Sequence, residues 1–171
     1  MPSRIQGSIK NGEVEPVGFQ QFFLTGPFPN LNDLLNSAKN DYSRKSGRPG
    51  NRISAYEIIK RKFTNTICMN LRIMDVKPMR QAFFFFVWQE KDKRRDPDNI
   101  SSAATKFILD AMVRSKLLDN DGWNQVKGHC HKYITSKGNP GVSISMIDPA
   151  LHPEKLQEYY ELIIKDLLNV R

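Results

Sequence analysis

The pattern of apolar and polar residues predicts one strand clearly. Residues 81–89 are the most hydrophobic stretch of the chain and include four consecutive phenylalanines, Phe83 to Phe86. Because successive side chains of a strand point to opposite faces, this run predicts a strand buried on both faces in the middle of a sheet. Aromatic residues can instead stack on nucleobases, but four in a row favour a core.

Weaker patterns predict the other elements. Apolar residues three or four positions apart indicate helices, and short apolar runs bounded by Gly, Pro or Asn indicate strands. The predicted helices are 31–43, 56–68, 100–117 and 153–170, and the remaining predicted strands are 19–24, 125–135 and 141–147. This order predicts a single α+β domain, 1–171, whose mixed or largely antiparallel sheet is flanked by helices. Residues 1–17 are expected to form a flexible start or a short strand.

Composition narrows the class of protein. The 26 Lys and Arg residues exceed the 18 Asp and Glu residues and give a net charge of +8. This excess favours a polyanionic partner such as DNA, because phosphate contacts release condensed counterions, although it also serves solubility. The two cysteines, Cys68 and Cys130, are expected to be reduced thiols. No signal-peptide core or membrane-length apolar run is present, so we expect a soluble, cytoplasmic protein without a membrane partner.

An acidic pair, Asp96 and Asp98, follows the predicted central strand. Pro97 favours an extended conformation at Asp96, and in an extended chain residues i and i+2 project to the same side. Two carboxylates so placed repel each other unless a cation lies between them, and a hard cation such as Mg²⁺ prefers oxygen ligands. The alternative is that Asp98 or Asn99 simply caps the helix that follows.

Two further acids lie beyond that helix, in the Asp-Asn-Asp-Gly segment at 119–122. The fold decides whether this segment returns to the acidic pair, and the same residues are also common in ordinary turns. The segment directly ahead of the acidic pair is strongly basic. Its cations, with two more on a downstream strand, are the predicted DNA contacts: Lys91, Lys93, Arg94, Arg95, Lys127 and Lys132.

The stretch from Arg94 to Val126 resembles the RusA family of Holliday-junction resolvases, including its phage-encoded members. The matching features are Arg-Arg-Asp-Pro-Asp-Asn at 94–99, Ile-Leu-Asp-Ala-Met at 108–112 and Leu-Asp-Asn-Asp at 118–121. The hydrophobic strand upstream and the paired strands downstream follow in the family's order. The resemblance implies a RusA-like fold and a homodimeric endodeoxyribonuclease that uses Mg²⁺, or Mn²⁺, to resolve four-way DNA junctions in recombination and repair.

The same resemblance assigns the catalytic acids. Asp96 and Asp98 match the first two metal-binding, catalytic acids of the family. Asp121 matches the third, with Asp119 as the alternative. Hydrolysis by such a site leaves a 5′-phosphate and a 3′-hydroxyl.

One position departs from the family pattern. The family's active-site lysine falls at Ser102 in this chain, and Lys106 lies one helical turn further on. We assign the lysine's catalytic role to Lys106. If that role is lost instead, the chain is a weak or inactive enzyme that binds branched DNA. A third possibility is a metal-dependent nuclease of another specificity.

Three further ring-bearing side chains, His129, His131 and Trp123, each have two candidate roles. His129 and His131 alternate along a predicted strand, and too few further ligands lie nearby in sequence for a zinc site. We interpret both as ordinary strand positions, with DNA contact as the alternative. Trp123 is expected to anchor the turn by packing, and insertion into a DNA junction is the weaker alternative.

Overall fold

Six strands and four helices lie in the residues that the structure, a computed structural model, describes: 9–10, 13–14, 17–43 and 54–168. The strands are β1 (Ile9–Lys10), β2 (Glu13–Val14), β3 (Phe19–Thr25), β4 (Ala82–Glu90), β5 (Val126–Thr135) and β6 (Gly141–Ile147). The helices are α1 (Leu31–Ser43), α2 (Ala55–Ile73), α3 (Pro97–Arg114) and α4 (Pro153–Leu168). Much of the predicted start, 1–17, lies outside the described residues, but β1 and β2 within it form a short antiparallel pair.

The main sheet has four strands in the order β3-β6-β4-β5. β6 runs antiparallel to both β3 and β4, whereas β5 runs parallel to β4. A parallel pair needs a crossover connection, and α3 with the turn after it connects β4 to β5. The sheet is therefore mixed, and the predicted α+β class with a mixed sheet flanked by helices is confirmed.

β4 is buried on both faces, as its sequence predicts. Phe84, Phe86 and Trp88 share one face, and each is at most 1% exposed. Phe83 and Phe85 lie on the opposite face and are also buried. Since β5 and β6 pair with β4 along both of its edges, the aromatic run is core. Its burial excludes the alternative in which these four phenylalanines stack on nucleobases.

Helices cover both faces of this sheet. α1, α2 and α3 pack on the face that carries Phe84 and Phe86. α4 packs on the other face, against Phe83 and Phe85. The helical side chains in these contacts include Leu34, Ile67 and Ile108 on the first face, and Leu156, Tyr159 and Ile163 on the second. The sheet is thus the middle of three layers.

Two helices have ends that differ from the prediction. α3 begins at Pro97 rather than at residue 100, because proline needs no amide donor in the first turn and its fixed φ suits a helix. It ends before Lys116, whose φ of 59° lies in the left-handed region. α2 continues to Ile73, past the predicted end at 68, and buries Leu71 in this added turn.

The predicted reduced state of the cysteines agrees with the structure. Cys68 is buried and Cys130 is partly buried, and both are free thiols. The Cys68 thiol donates to the carbonyl oxygen of Ala111 at 3.6 Å, which ties α2 to α3. None of the helices in the described ranges is long and apolar enough to cross a membrane.

A β-bulge interrupts the parallel pairing at the start of β5. Ala82 pairs with Val126, but the next residue of β4, Phe83, pairs with Gly128, so Lys127 is the extra residue. Gly128 has a φ of 144°, a backbone angle that residues with a side chain rarely adopt. A Cβ at this position would lie 2.6 Å from the Phe83 ring. The bulge releases Lys127 from the ladder and determines which face each later residue of β5 occupies.

Ile144→Ala in β6 is expected to lower the free energy of unfolding by about 2–5 kcal/mol, because truncation leaves a cavity in the core. Ile144 is fully buried and lies between Phe22 of β3 and Phe86 of β4. Leu162→Ala, at an exposed position of α4, is the control and should change stability by less than about 0.5 kcal/mol. Urea denaturation followed by circular dichroism measures both variants. Equal losses in the two variants would contradict the packing described for β6.

Candidate active site

The acidic pair lies at the junction between the β4 exit loop and α3. Asp96 is the N-cap residue of α3, and its φ of −68° and ψ of 144° are extended, as Pro97 predicts. Its carboxylate makes no capping hydrogen bond to the helix. Instead, the side-chain amide nitrogen of Asn99, Nδ2, donates to Asp96 Oδ2 at 3.4 Å. The Asp96 carboxylate is therefore exposed and available to a ligand.

Asp98 lies inside the first turn of α3, and this corrects two expectations. Since the helix begins at Pro97, the two acids do not project from one extended segment, and the i, i+2 argument for a shared side does not apply. The alternative in which Asp98 or Asn99 is the cap is also wrong, because Asp96 occupies that position. Asp98 is exposed, and the positive end of the helix dipole favours its negative charge.

A second charged cluster lies further along α3. Lys106 Nζ contacts Asp110 Oδ1 at 2.8 Å and also forms an ion pair with Asp121, from the turn before β5. Lys60 of α2 reaches the other oxygen of Asp110 at 3.1 Å. These four residues, which we call the Lys106 cluster, contain two positive and two negative charges. They join two helices to the turn that leads into β5.

The ion pairs of the Lys106 cluster shift the protonation of its members. The hydrogen bond to Asp110, followed by that to Asp121, raises the pKa of Lys106. The hydrogen bond from Lys106 lowers the pKa of Asp121. The hydrogen bond to Asp110 likewise raises the pKa of Lys60. These shifts hold Lys106 and Lys60 as cations and Asp121 as an anion near neutral pH.

The structure brings Lys106 and Asp121 together but leaves the acidic pair apart from them. Lys106 is eight residues beyond Asp98 on the same helix, which corresponds to about 12 Å along the axis. No hydrogen bond or ion pair within the described residues joins Asp96 or Asp98 to the cluster. Across the same residues, no group of three or more His, Cys, Asp or Glu side chains is placed to hold a metal ion. Metal binding by all three acids stays a prediction.

The turn at 119–125 separates the two candidates for the third acid. Asp121 contacts Lys106, whereas Asp119 lines a cleft that Arg80 and Lys127 also line. The two acids therefore serve different surfaces of the same turn. Of the two, Asp121 is the one next to the candidate lysine.

The predicted DNA-contact residues around the acidic pair have different environments. Lys91, Lys93 and Arg94 are exposed, and Arg94 forms a surface ion pair with Asp92 at 2.8 Å. Arg95 is mostly buried instead. Its guanidinium donates to Glu90 and to the carbonyl oxygen of Phe28, each at 3.0 Å. Arg95 thus fixes the loop between β4 and α3, and this structural role was not apparent from its position in a basic run.

The two other predicted contacts lie on β5. Lys127 is the exposed bulge residue. Lys132 forms an ion pair with Asp166 of α4, on the opposite face of the sheet from α3. The six predicted cations therefore do not form one continuous surface.

Trp88 of β4 and two histidines of β5 form a directional hydrogen-bond chain that the sequence does not reveal. Trp88 Nε1 donates to His131 Nδ1 at 2.9 Å, and an indole nitrogen can only donate. The proton of a neutral His131 ring therefore lies on Nε2, which donates to His129 Nδ1 at 3.0 Å. Burial, with a smaller effect from His129, lowers the pKa of His131 to about 4. His131 stays neutral and stacks on Phe86, with ring centroids 5.1 Å apart.

Tyr133, the next ring along β5, forms a hydrogen bond with α3 close to the start of that helix. The Tyr133 hydroxyl donates to Ser101 Oγ at 2.8 Å, and Ser101 Oγ donates to the carbonyl oxygen of Pro97 at 3.1 Å. Ser101 is buried one turn beyond the acidic pair. His131 lies on β5, and its ring stacks on Phe86 and on Tyr133, the residue that reaches Ser101.

Trp123 contradicts its predicted role. Its side chain is 95% exposed, so it does not anchor the turn by packing. The ring is therefore open to solvent in the described chain. The weaker alternative, insertion into a DNA junction, stays a prediction.

Comparison of the chain with protein-family models returned no match, and a search of curated proteins returned none either. The fold and the site on their own define an α+β protein with two exposed carboxylates beside a basic loop. The likeness to RusA resolvases rests on the residues between 94 and 126.

The low pKa of His131 predicts a loss of stability in mild acid. An unfolded histidine titrates near about 6.5, so the stability from the neutral folded ring is fully present above that pH and is lost as the pH falls through about 4. His131→Asn keeps an acceptor for Trp88 but does not titrate, and we expect a flatter pH dependence of the free energy of unfolding over this interval. His152→Asn, which removes a partly exposed imidazole at the surface beside Glu154, is the control.

Urea denaturation at a series of pH values measures this effect in the wild type and both variants. If His131→Asn keeps the full pH dependence of the wild type, His131 is not the buried neutral ring described above.

Proposed function

We propose that this chain is a metal-dependent endodeoxyribonuclease that cuts branched DNA, with Asp96 and Asp98 at the centre of its active site. The observation that carries the proposal is that Asp96 stands at the N-cap position but its carboxylate does not cap. Both acids are instead exposed at the start of α3, directly behind three exposed cations of the β4 exit loop. Anionic groups facing solvent beside cations suit the binding of a metal ion together with a phosphate.

The acidic pair suits Mg²⁺ in its donor chemistry. Mg²⁺ prefers hard oxygen ligands and is commonly bound by one or two carboxylates, with water and substrate phosphate completing its coordination. Asp96 and Asp98 would provide the two carboxylates, and the Asn99 amide orients Asp96 through their hydrogen bond. A bound Mg²⁺, or Mn²⁺, supplies Lewis-acid activation of a water molecule and offsets negative charge on the phosphate.

The cations around the acidic pair would hold the DNA backbone. Lys91, Lys93 and Arg94 project from the loop between β4 and α3, close to the acids in sequence and exposed. Phosphate contacts of this kind fix the position of the strand without reading its sequence. The net charge of +8 supports long-range attraction of DNA, which weakens as salt concentration rises.

Lys106 would provide a second positive charge for the substrate. Asp110 and Asp121 keep it protonated and orient its ammonium group. An oriented cation stabilises charge that develops on a phosphate during hydrolysis. Asp121 then has two candidate roles, as the third metal ligand that the RusA resemblance implies and as a positioning residue for Lys106.

Junction resolution is the specific reaction that the resemblance implies. A four-way junction is nearly two-fold symmetric, and a two-fold homodimer would present two equivalent sites to it. We therefore include the homodimer and the paired, symmetric cuts in the proposal. The proposal also includes membership of the RusA family, a role in DNA recombination and repair, and a phage origin, because the resemblance implies them.

A second candidate function is a protein that binds branched DNA without cutting it. The observation that favours it is the engagement of Asp121 by Lys106, which leaves only two acids available at the start of α3. Such a protein would share the cations and the fold but would show no cleavage with any divalent ion.

Asp96→Asn and Asp98→Asn are each expected to reduce the cleavage rate to background while DNA affinity stays equal or rises, because removal of a carboxylate lowers repulsion of the phosphate. The measurement uses labelled four-way junction, linear duplex and flap DNA, each with Mg²⁺ and with EDTA. Asp75→Asn, at an exposed carboxylate beyond the end of α2, is the matched control and should cut normally.

Paired, metal-dependent cuts confined to the junction support resolution. Tight binding with no cleavage under any divalent ion would favour the second candidate. Normal cutting by both active-site variants would remove the acidic pair from the site.

Lys106→Ala is expected to slow junction cleavage by about 10²–10³-fold with little change in the dissociation constant for DNA, since loss of one oriented charge in a catalytic site has effects of this size. Lys137→Ala, at an exposed lysine of the β5–β6 loop, is the control. Single-turnover cleavage and fluorescence anisotropy measure rate and affinity separately. An unchanged rate in Lys106→Ala would exclude Lys106 from catalysis.

A further inference from the structure

A cleft of about 760 Å³ opens at the amino ends of β4 and β5, beside the chain that follows β6. Pockets for small organic ligands commonly have volumes of about 300–1,000 Å³, so the cleft has room for a nucleotide. The acidic pair and Lys106 do not line it. Its lining includes Arg80, Gln81, Gln125, Lys127 and Asp148, and Trp123 lies in the same turn as Gln125.

The interior of the cleft contains acceptors that match the amino group of a nucleobase. Gln125 Oε1 is buried and has no hydrogen-bond partner within the described chain. Asp148 is buried, and the two hydrogen bonds that it accepts, from Gln81 Nε2 at 2.8 Å and the Ala150 amide at 2.9 Å, both end on Oδ1. Since buried acceptors are nearly always satisfied, the Gln125 oxygen calls for a donor from a ligand.

Two cations lie among the lining residues. Arg80 and Lys127 are both exposed, and neither forms an ion pair in the part of the chain that the structure describes. The β-bulge places Lys127 outside the regular ladder. Cations bind phosphate groups. Buried hydrogen-bond acceptors repel phosphate oxygens and instead bind amino groups, which donate. A nucleotide offers both kinds of group, and inorganic phosphate offers only one.

Trp123 supplies the stacking surface that such a site needs. Its ring is 95% exposed and lies two residues before Gln125 in the same turn. Exposed aromatic rings beside cations bind unpaired bases in single-stranded nucleic acid, and each stacked base contributes about 1–3 kcal/mol. The exposure of Trp123, which packing within the described chain does not explain, is accounted for by such a base.

We propose that this cleft binds an unpaired base of a DNA strand, with Trp123 stacking on it, Gln125 and Asp148 accepting from its amino group, and Arg80 and Lys127 contacting the flanking phosphates. The inference rests on the proposed function for its substrate. The turn at 119–125 links the two sites, because Asp121 contacts Lys106 while Asp119 and Gln125 line the cleft. Enzymes that act on branched or distorted DNA meet unpaired bases at little energetic cost.

The test measures binding of the full-length protein in EDTA, where no cleavage occurs. The probes are a short oligodeoxyadenylate, an oligothymidylate of the same length and an abasic oligomer of that length. We expect the oligodeoxyadenylate to bind about tenfold or more tightly than the abasic oligomer, with the oligothymidylate, which lacks an amino group, between them. Oligodeoxyadenylate should also protect Trp123 from acrylamide quenching, and the other tryptophan, Trp88, is 1% exposed and contributes little to that signal.

Two variants assign the effect to the cleft. Trp123→Ala is expected to reduce the advantage of both base-containing oligomers over the abasic one, and Gln125→Leu to abolish the difference between adenine and thymine. Leu162→Ala, on exposed α4 surface, is the control and should retain the wild-type order of affinities. Because Trp123 is on the surface, its replacement should leave the fold intact, which circular dichroism checks.

Equal affinities for the oligodeoxyadenylate and the abasic oligomer would overturn the proposal, as would dAMP binding as tightly as the oligomer. The proposed function is judged by junction cleavage, so the two failures are distinguishable. Base-dependent binding without any cleavage would contradict the proposed nuclease function but support the base-binding cleft. Junction cleavage without base-dependent binding would support the nuclease function but contradict the base-binding cleft.

Discussion

The burial of β4 on both faces is the constraint on which the rest of the structure depends. A strand with large aromatic side chains on both sides needs a neighbour at each edge and a layer of helices on each face. β4 has β6 at one edge and β5 at the other. Helices α1, α2 and α3 cover one of its faces, and α4 covers the other. Because β5 runs parallel to β4, the chain must cross the sheet between them, and α3 is that crossover. The acidic pair therefore emerges from the carboxyl end of the most tightly held strand in the fold.

The turn between α3 and β5 connects the two functional surfaces that we propose. Backbone hydrogen bonds fasten it to the segment before β4, from Met79 to Leu117 and from Ala82 to Gln125. Asp121 faces Lys106 from this turn, and Gln125 belongs to the cleft. A ligand that changes the turn at one surface would act on the other, since about four residues separate the two contacts.

The elements of this fold could be predicted from the sequence because each carries a local signal, strongest at the aromatic run of β4. The aromatic run, the bounds of α1 and β6, and the proline at the start of α4 all depend on neighbours in the chain. The arrangement of the candidate active site was harder to predict from the sequence. Trp88 and His131 are 43 residues apart and meet only through the register of β4 and β5, so no local pattern indicates their hydrogen bond.

Other parts of the site were misjudged for physical reasons that lie in the tertiary structure. Proline started α3 earlier than hydrophobic periodicity indicated, and this placed Asp98 in a helix. Arg95 belonged to a basic run, yet Glu90 and the Phe28 carbonyl hold it inside the protein. Lys106 and Asp121 are 15 residues apart, and no local pattern indicated that they form an ion pair.

The bulge at Lys127 absorbs one residue that the ladder between β4 and β5 does not need. Because Ala82 pairs with Val126 and Phe83 with Gly128, deletion of Lys127 would leave an uninterrupted ladder with every later residue of β5 on its present face. Insertion of one residue after Gly128 without a new bulge would instead turn the later side chains to the opposite face, and His131 would lose Trp88. Related sequences that keep this architecture should therefore tolerate loss of the residue at 127 but not the gain or loss of a single residue between 128 and 133.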